Sequence, residues 1–224
     1  MNTPTTIHPS DLKRSVSLTW GPSLFDWLIP TADTRHRIAA SIAFIALIVV
    51  CSKIRFYLPD NPTPITLQTL AILTVGGVMG LRWGLISVFG YLAIGALGFL
   101  AFANQPWGFT SPADGWAYVT GVTGGYLLGF LLATAVVGAL SQYGFDRSNS
   151  LWANALGGIT VYVPAIIWLA VGDFGWPADG KLMMDGMYIY LPGDFLKVIA
   201  ASVLITGLWK FADNLRSGRE PRDV

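Results

Sequence analysis

Six long apolar stretches, residues 36–55, 65–79, 84–103, 118–142, 151–171 and 194–212, run through this chain, each bounded by proline, glycine or charge. Their continuity predicts helices that cross a membrane, because the strict alternation of a barrel strand is absent from them. The pattern therefore predicts an all-α membrane protein, a six-transmembrane-helix bundle over residues 35–214, with residues 1–34 and 215–224 as tails. No repeat of fixed period runs through the chain.

Irregularities within the stretches carry more information than the stretches themselves. Thr63 is placed to cap a helix with Pro64 in its first turn, where proline is tolerated. The 15 residues from Ile65 to Met79 would then span about 22 Å at ~1.5 Å per residue, short of a ~30 Å hydrocarbon core. A short helix leaves a well at one membrane face, with Thr66, Gln68 and Thr69 near its floor. Those groups suit either a ligand or helix-to-helix hydrogen bonds. Tyr91 lies mid-membrane, where its hydroxyl needs a protein or ligand partner.

Small residues mark close packing. Ala39, Ala43 and Ala46 form one stripe, and Gly121, Gly125 and Gly129 another, each of which permits close helix approach. For the alanines the pattern alone favours a partner inside the bundle. Thr123 and Tyr126, beside the glycines, are candidate cavity-lining groups, and Pro164 predicts a kink in the fifth stretch. Trp107, Phe109 and Trp116, in the loop 104–117, read either as an interfacial aromatic belt or as a lid. Near the N-terminus, Trp20, Leu24, Phe25, Trp27 and Leu28 read as an interfacial anchor or as an exposed, half-ordered segment.

Composition agrees with a membrane residence: 53% of the 224 residues are hydrophobic and 12% charged, with a mean hydropathy of +0.55. A net charge of +1 without a basic run argues against nucleic-acid binding. Lys13, Arg14, Arg35, Arg37, Arg82, Arg147, Lys210, Arg216, Arg219 and Arg222 fall on one side of the six stretches, and Lys53, Arg55 and Lys181 on the other. That asymmetry places both termini in the cytoplasm. Catalytic sets are missing: His8 and His36 precede the membrane region, Cys51 is the single cysteine, and Glu220, the single glutamate, lies in the tail. Asp173, Asp179 and Asp185 do not have calcium-loop spacing, no metal cluster or cofactor site emerges, and no nucleotide-binding loop is present.

The remaining chemistry concentrates in Leu191-Pro192-Gly193-Asp194-Phe195-Leu196-Lys197. Asp194 and Lys197 stand three residues apart, on one face of a helix that is otherwise apolar. An intramembrane acid or base is costly, so it tends to face a cavity, a bundle interior or a countercharge. The competing reading makes Asp194 a helix N-cap that Lys197 neutralises near the surface. A small-solute transporter accounts jointly for the short helix, the charge pair and the aromatic loop. A non-catalytic scaffold or assembly subunit accounts for the small-residue stripes, and ion-coupled permeation through an intramembrane Asp is a third reading.

Three segments, Pro62 to Thr69 (PTPITLQT), Thr123 to Phe130 (TGGYLLGF) and Leu191 to Lys197 (LPGDFLK), resemble in order and spacing the signatures of the BioY family. The resemblance covers about residues 36–212. It implies a biotin-binding S component of an energy-coupling factor (ECF) transporter, in the bacterial cytoplasmic (inner) membrane, capturing biotin from outside. It also implies partners, a transmembrane coupling protein and cytoplasmic ATPase subunits, so that this chain is not itself an enzyme. Asp194 and Lys197 take the family's vitamin-site positions, with Gln68, Tyr91 and Tyr126 as further ligand-binding candidates. Ala39 and Ala43 match the family's partner-docking alanines on the first helix. An S component for another small vitamin is the alternative. The chain has Val122 and Leu100 where the family usually has prolines in its Gly-Pro-Thr-Gly-Gly and Gly-Leu-Pro segments.

Overall fold

A computed structural model describes residues 21–99, 101–105 and 108–217, and the expectation for Trp20 and Trp107 lies outside them. The chain is mostly helical: α1 (Leu24–Leu28), α2 (Thr34–Lys53), α3 (Gln68–Ala96), α4 (Pro112–Thr120), α5 (Gly124–Gln142), α6 (Leu151–Thr160), α7 (Tyr162–Val171) and α8 (Leu191–Ser217). A two-residue hairpin, β1 (Arg55–Phe56) with β2 (Ile65–Thr66), follows α2. Among the described residues five helical stretches are long and apolar enough to cross a membrane, α6 and α7 counting together.

α3 absorbs two of the six apolar stretches, and its continuity is only nominal. Gly80 has φ +70° and ψ −171° in its middle, a backbone region that favours glycine. The Gln68 side-chain amide donates to the Tyr91 hydroxyl at 2.5 Å across a sequence separation of 23. A straight helix would hold those residues about 34 Å apart. The two halves therefore lie side by side, with the reversal at Gly80, where the Leu81 N–H donates to Gln142 Oε1 at 3.0 Å.

The boundaries differ from the expected ones where side chains offered the backbone an alternative. Thr63 does not cap a helix: its N–H donates to Asn61 Oδ1 at 2.8 Å, and Ile65–Thr66 pairs with Arg55–Phe56. The helix begins at Gln68, whose N–H is accepted by Thr66 Oγ1 at 3.2 Å. The third apolar stretch leaves the helix after Ala96, and the fourth is divided between α4 and α5. At Pro164 the ladder breaks three residues earlier, at Val161, whose backbone stays α-helical (φ −57°, ψ −37°). Proline has no N–H for the carbonyl of Thr160, so that ladder bond is lost.

Glycine positions the central helices. A Cβ on Gly125 would stand 2.7 Å from Ala165 Cα and 2.8 Å from the Pro164 carbonyl oxygen, so α5 and α7 meet backbone to backbone. Gly129 meets Val161 in the same way. The alanine stripe does the opposite of what its pattern favours: Ala39, Ala43 and Ala46 are exposed on the outer face of α2. Inward packing falls instead to Ser41, Ile48, Val49, Cys51 and Ser52.

α1 is docked. Ser23 and Asp26 form a capping box, Arg37 donates to Asp26 Oδ1 at 2.9 Å, and Leu24 packs with Val78, Ile205, Trp209 and Ala212. Trp27 Nε1 donates to Asp213 Oδ1 at 3.1 Å. The segment that read as an interfacial anchor or an exposed stretch is thereby tied to the far end of α8.

Candidate functional site

β2, the first turn of α3, the start of α5, the α6–α7 junction and the first turns of α8 converge on a hollow of about 530 Å³, its open mouth included. On the α8 side stand Asp194 and Lys197, 9% and 8% exposed. The helix starts at Leu191, so Pro192 occupies the first turn, where its missing N–H costs nothing. Asp194 N–H already donates to the Tyr190 carbonyl at 2.9 Å. Asp194 is thus inside the helix, and the N-cap reading fails.

Its carboxylate is held from two directions. Lys197 Nζ donates to Oδ1 at 2.7 Å, and the Tyr162 hydroxyl, from the first residue of α7, donates to Oδ2 at 2.5 Å. Each carboxylate oxygen can accept again, and the ammonium has two further N–H groups beyond the one on Asp194. The pair therefore presents both acceptor and cationic donor capacity to the hollow.

Facing the pair are Thr63, Thr66, Gln68 and Thr69. The Gln68 amide is fixed at both ends: Oε1 accepts from Thr66 Oγ1 at 3.0 Å and Nε2 donates to Tyr91. Thr63 Oγ1 is buried without a hydrogen-bond partner among the described residues, on a side chain that lines the hollow. A buried hydroxyl left unpaired is costly, and an occupant of the hollow would satisfy this one.

Aromatic rings complete the wall. Tyr126 meets Tyr162 and Tyr190 edge to face, with centroids 6.3 and 6.0 Å apart, and its hydroxyl donates to the Gly186 carbonyl at 2.6 Å. Asn61 Nδ2 donates to the Tyr190 hydroxyl at 2.8 Å, tying the β-hairpin loop to the start of α8. Tyr118, from α4, stacks on Phe102 with centroids 4.7 Å apart and also lines the hollow. Such an enclosure suits a small molecule with an apolar body, N–H donors and an anionic end.

Of the residues picked from sequence, Gln68, Tyr126, Asp194 and Lys197 line this one hollow, as do Thr66, Thr69 and Thr123. Tyr91 does not: fully buried, it stands behind Gln68 and packs edge to face on Phe102. Sequence reasoning missed Thr63, Tyr118, Tyr162 and Tyr190 as lining groups. The argument applied to Tyr91, that a hydroxyl in an apolar stretch needs a partner, would have found Tyr162. Trp116 is exposed and Phe109 packs on Phe99, and neither lines the hollow, whereas Tyr118 does.

Comparison with known proteins bears on the whole membrane region. The BioY family model matches residues 25–214. The chain is 31% identical over 176 residues to the biotin transporter BioY of Thermotoga maritima, covering 79% of this chain and 96% of that one. It is 28% identical over 169 residues to the probable biotin transporter BioY of Pyrococcus horikoshii, covering 74% and 94%. Among solved structures, the S-component for biotin from an ECF-type ABC transporter superposes with a TM-score of 0.66 at 24% identity, covering 80% of this chain and 95% of that one. At that identity the superposition speaks for the fold.

Proposed function

The chain belongs to the BioY family, and from that premise we propose that it captures biotin at the outer face of a bacterial cytoplasmic membrane, as the substrate-specific S component of an ECF-type transporter. The observation that carries this reading is the buried Asp194–Lys197 pair, braced by Tyr162 at 2.5 Å, opening into the same hollow as the unspent Thr63 hydroxyl. Biotin's ureido ring offers N–H donors, which a carboxylate oxygen of Asp194 accepts. Its valerate carboxylate takes the free N–H groups of Lys197, directly or through water, while the tyrosine rings cover its apolar body. Gln68 and Tyr126 contribute as wall residues, and Tyr91 acts through Gln68.

The proposal includes six crossings with both termini cytoplasmic. The side-by-side halves of α3 supply the second and third crossings, and the excess of Lys and Arg on one side sets the direction. The exposed Ala39 and Ala43 then form the contact for a transmembrane coupling protein. Because the sequence carries no nucleotide-binding loop, ATP hydrolysis falls to partner subunits and this chain is not an enzyme.

The test is mass spectrometry of the small molecule retained by gently purified protein, followed by calorimetric titration with biotin. Retained biotin displaced at one-to-one stoichiometry is expected. Retention of a different vitamin overturns the substrate, and indifference to every vitamin returns the chain to the scaffold reading.

A further inference from the structure

A second hollow, of about 790 Å³ including its open side, lies between the start of α6 and the middle of α8 and is lined by Asn149, Leu151, Ile199, Ser202, Val203, Thr206, Gly207 and Lys210. We propose that it holds one anionic phospholipid of the cytoplasmic leaflet, an acyl chain along α8 and the phosphate on Lys210 and Asn149. The leaflet assignment rests on the orientation given above; the site does not.

The middle of the groove takes hydrocarbon. Ile199 and Val203 are exposed along it, and its hydroxyls are committed inside the protein. Ser202 Oγ donates to the Val198 carbonyl at 2.6 Å, and Thr206 Oγ1 accepts from the Ser150 N–H at 3.3 Å and lies 3.1 Å from Ser150 Oγ. A polar occupant finds nothing to bind there.

The rim takes an anion. Asn149 Oδ1 is used by the Leu151 N–H at 2.9 Å, which leaves its amide N–H groups, and Lys210 is exposed and in none of the ion pairs among the described residues. Both groups are donors, and a phosphate is the headgroup that satisfies them.

Depth fits as well. Positions 199, 203, 207 and 210 follow helical spacing along one face of α8. From Asp194 to Lys210 the helix rises about 24 Å at ~1.5 Å per residue, which brings Lys210 to the opposite headgroup region of a ~30 Å hydrocarbon core. The floor is open: a Cβ on Gly207 would meet nothing within 4 Å. A larger side chain there fills the groove without touching the fold.

Native mass spectrometry of the full chain in micelles doped with phosphatidylglycerol or phosphatidylcholine tests the site. Wild type is expected to retain one phosphatidylglycerol, roughly fivefold in preference to phosphatidylcholine, as one interfacial cation supplies. Lys210→Gln should remove that preference, and Gly207→Leu should lower retention of both lipids. Equal retention by wild type and both variants overturns the proposal. So does loss of assembly with a co-expressed coupling protein in Gly207→Leu while lipid retention stays unchanged, which makes the groove a helix-docking surface. Biotin titration of the same samples is read separately: all three proteins should bind biotin alike, and a wild type that retains lipid but not biotin fails the functional reading alone.

Discussion

Tyr162 donates its hydroxyl hydrogen to Asp194 Oδ2 at 2.5 Å, joining α7 to the first turn of α8 across the hollow wall. The bond fixes which way the carboxylate faces, since Lys197 holds the other oxygen. Tyr162→Phe removes the donor and leaves the ring packed against Tyr126. A hydrogen bond to a charged group contributes ~1.5–3 kcal/mol, so biotin affinity should fall roughly tenfold or more with the fold intact. An unchanged calorimetric Kd in folded Tyr162→Phe would remove the residue from the mechanism.

Asp194→Asn and Lys197→Ala should each weaken biotin binding at least about tenfold, by the same arithmetic. Both changes cost stability: Lys197→Ala strands a buried carboxylate and Asp194→Asn a buried ammonium, each at about 3–5 kcal/mol, although Asp194→Asn keeps a neutral acceptor for Lys197. Asp194→Asn combined with Lys197→Met should regain thermal stability over Lys197→Ala and still not bind. Binding by that double variant would show the pair to be structural.

Much of this was legible in the sequence because membrane burial makes charge and hydroxyl groups conspicuous. Asp194, Lys197, Gln68 and Tyr126 could be picked out singly, and three ordered motifs tied them together. Pairings between distant segments were not legible. Neither the Tyr162–Asp194 bond nor the Asn61–Tyr190 bond follows from any local spacing. The early end of the expected helix at residues 64–67 was hidden because Thr and Asn compete equally well for turns and caps. The alanine stripe gave small residues without a direction, and only the packing of Ile48 and Val49 shows which face of α2 is inward.

Ala39→Trp and Ala43→Trp place bulk on that outer face, away from the hollow. Both should bind biotin as wild type does. With the coupling protein and ATPase subunits co-expressed, both should lose co-purification of the partners and biotin uptake. Unchanged uptake would mean that the stripe faces lipid only.

Tyr91→Phe tests the support behind the wall. The Gln68 amide loses its 2.5 Å partner but keeps Thr66, so its position loosens without leaving. Biotin affinity should fall by a few-fold, less than for Gln68→Ala, as expected of a neutral hydrogen bond contributing ~0.5–1.5 kcal/mol. A larger loss in Tyr91→Phe than in Gln68→Ala would give Tyr91 a role of its own.

Asp146, in the turn between α5 and α6, is fully buried. Ser141 Oγ donates to its Oδ2 at 2.6 Å, and the Trp209 indole N–H also bears on the carboxylate. Burial pushes its carboxyl above the ordinary carboxylate range, against the smaller opposing pulls of Ser141, Trp209 and the Arg147 charge. A group whose folded pKa is raised binds its proton more tightly in the folded state, so its contribution to stability is greatest at low pH and is lost as pH rises through the folded pKa. Asp146→Asn keeps an oxygen for Ser141 and carries no charge, so it should be at least as stable as wild type at pH 8. That advantage should shrink as pH falls and the wild-type acid takes up its proton. Thermal unfolding of both proteins in detergent across this range is the measurement. A difference between them that does not change with pH would mean that Asp146 titrates alike in the folded and unfolded chain.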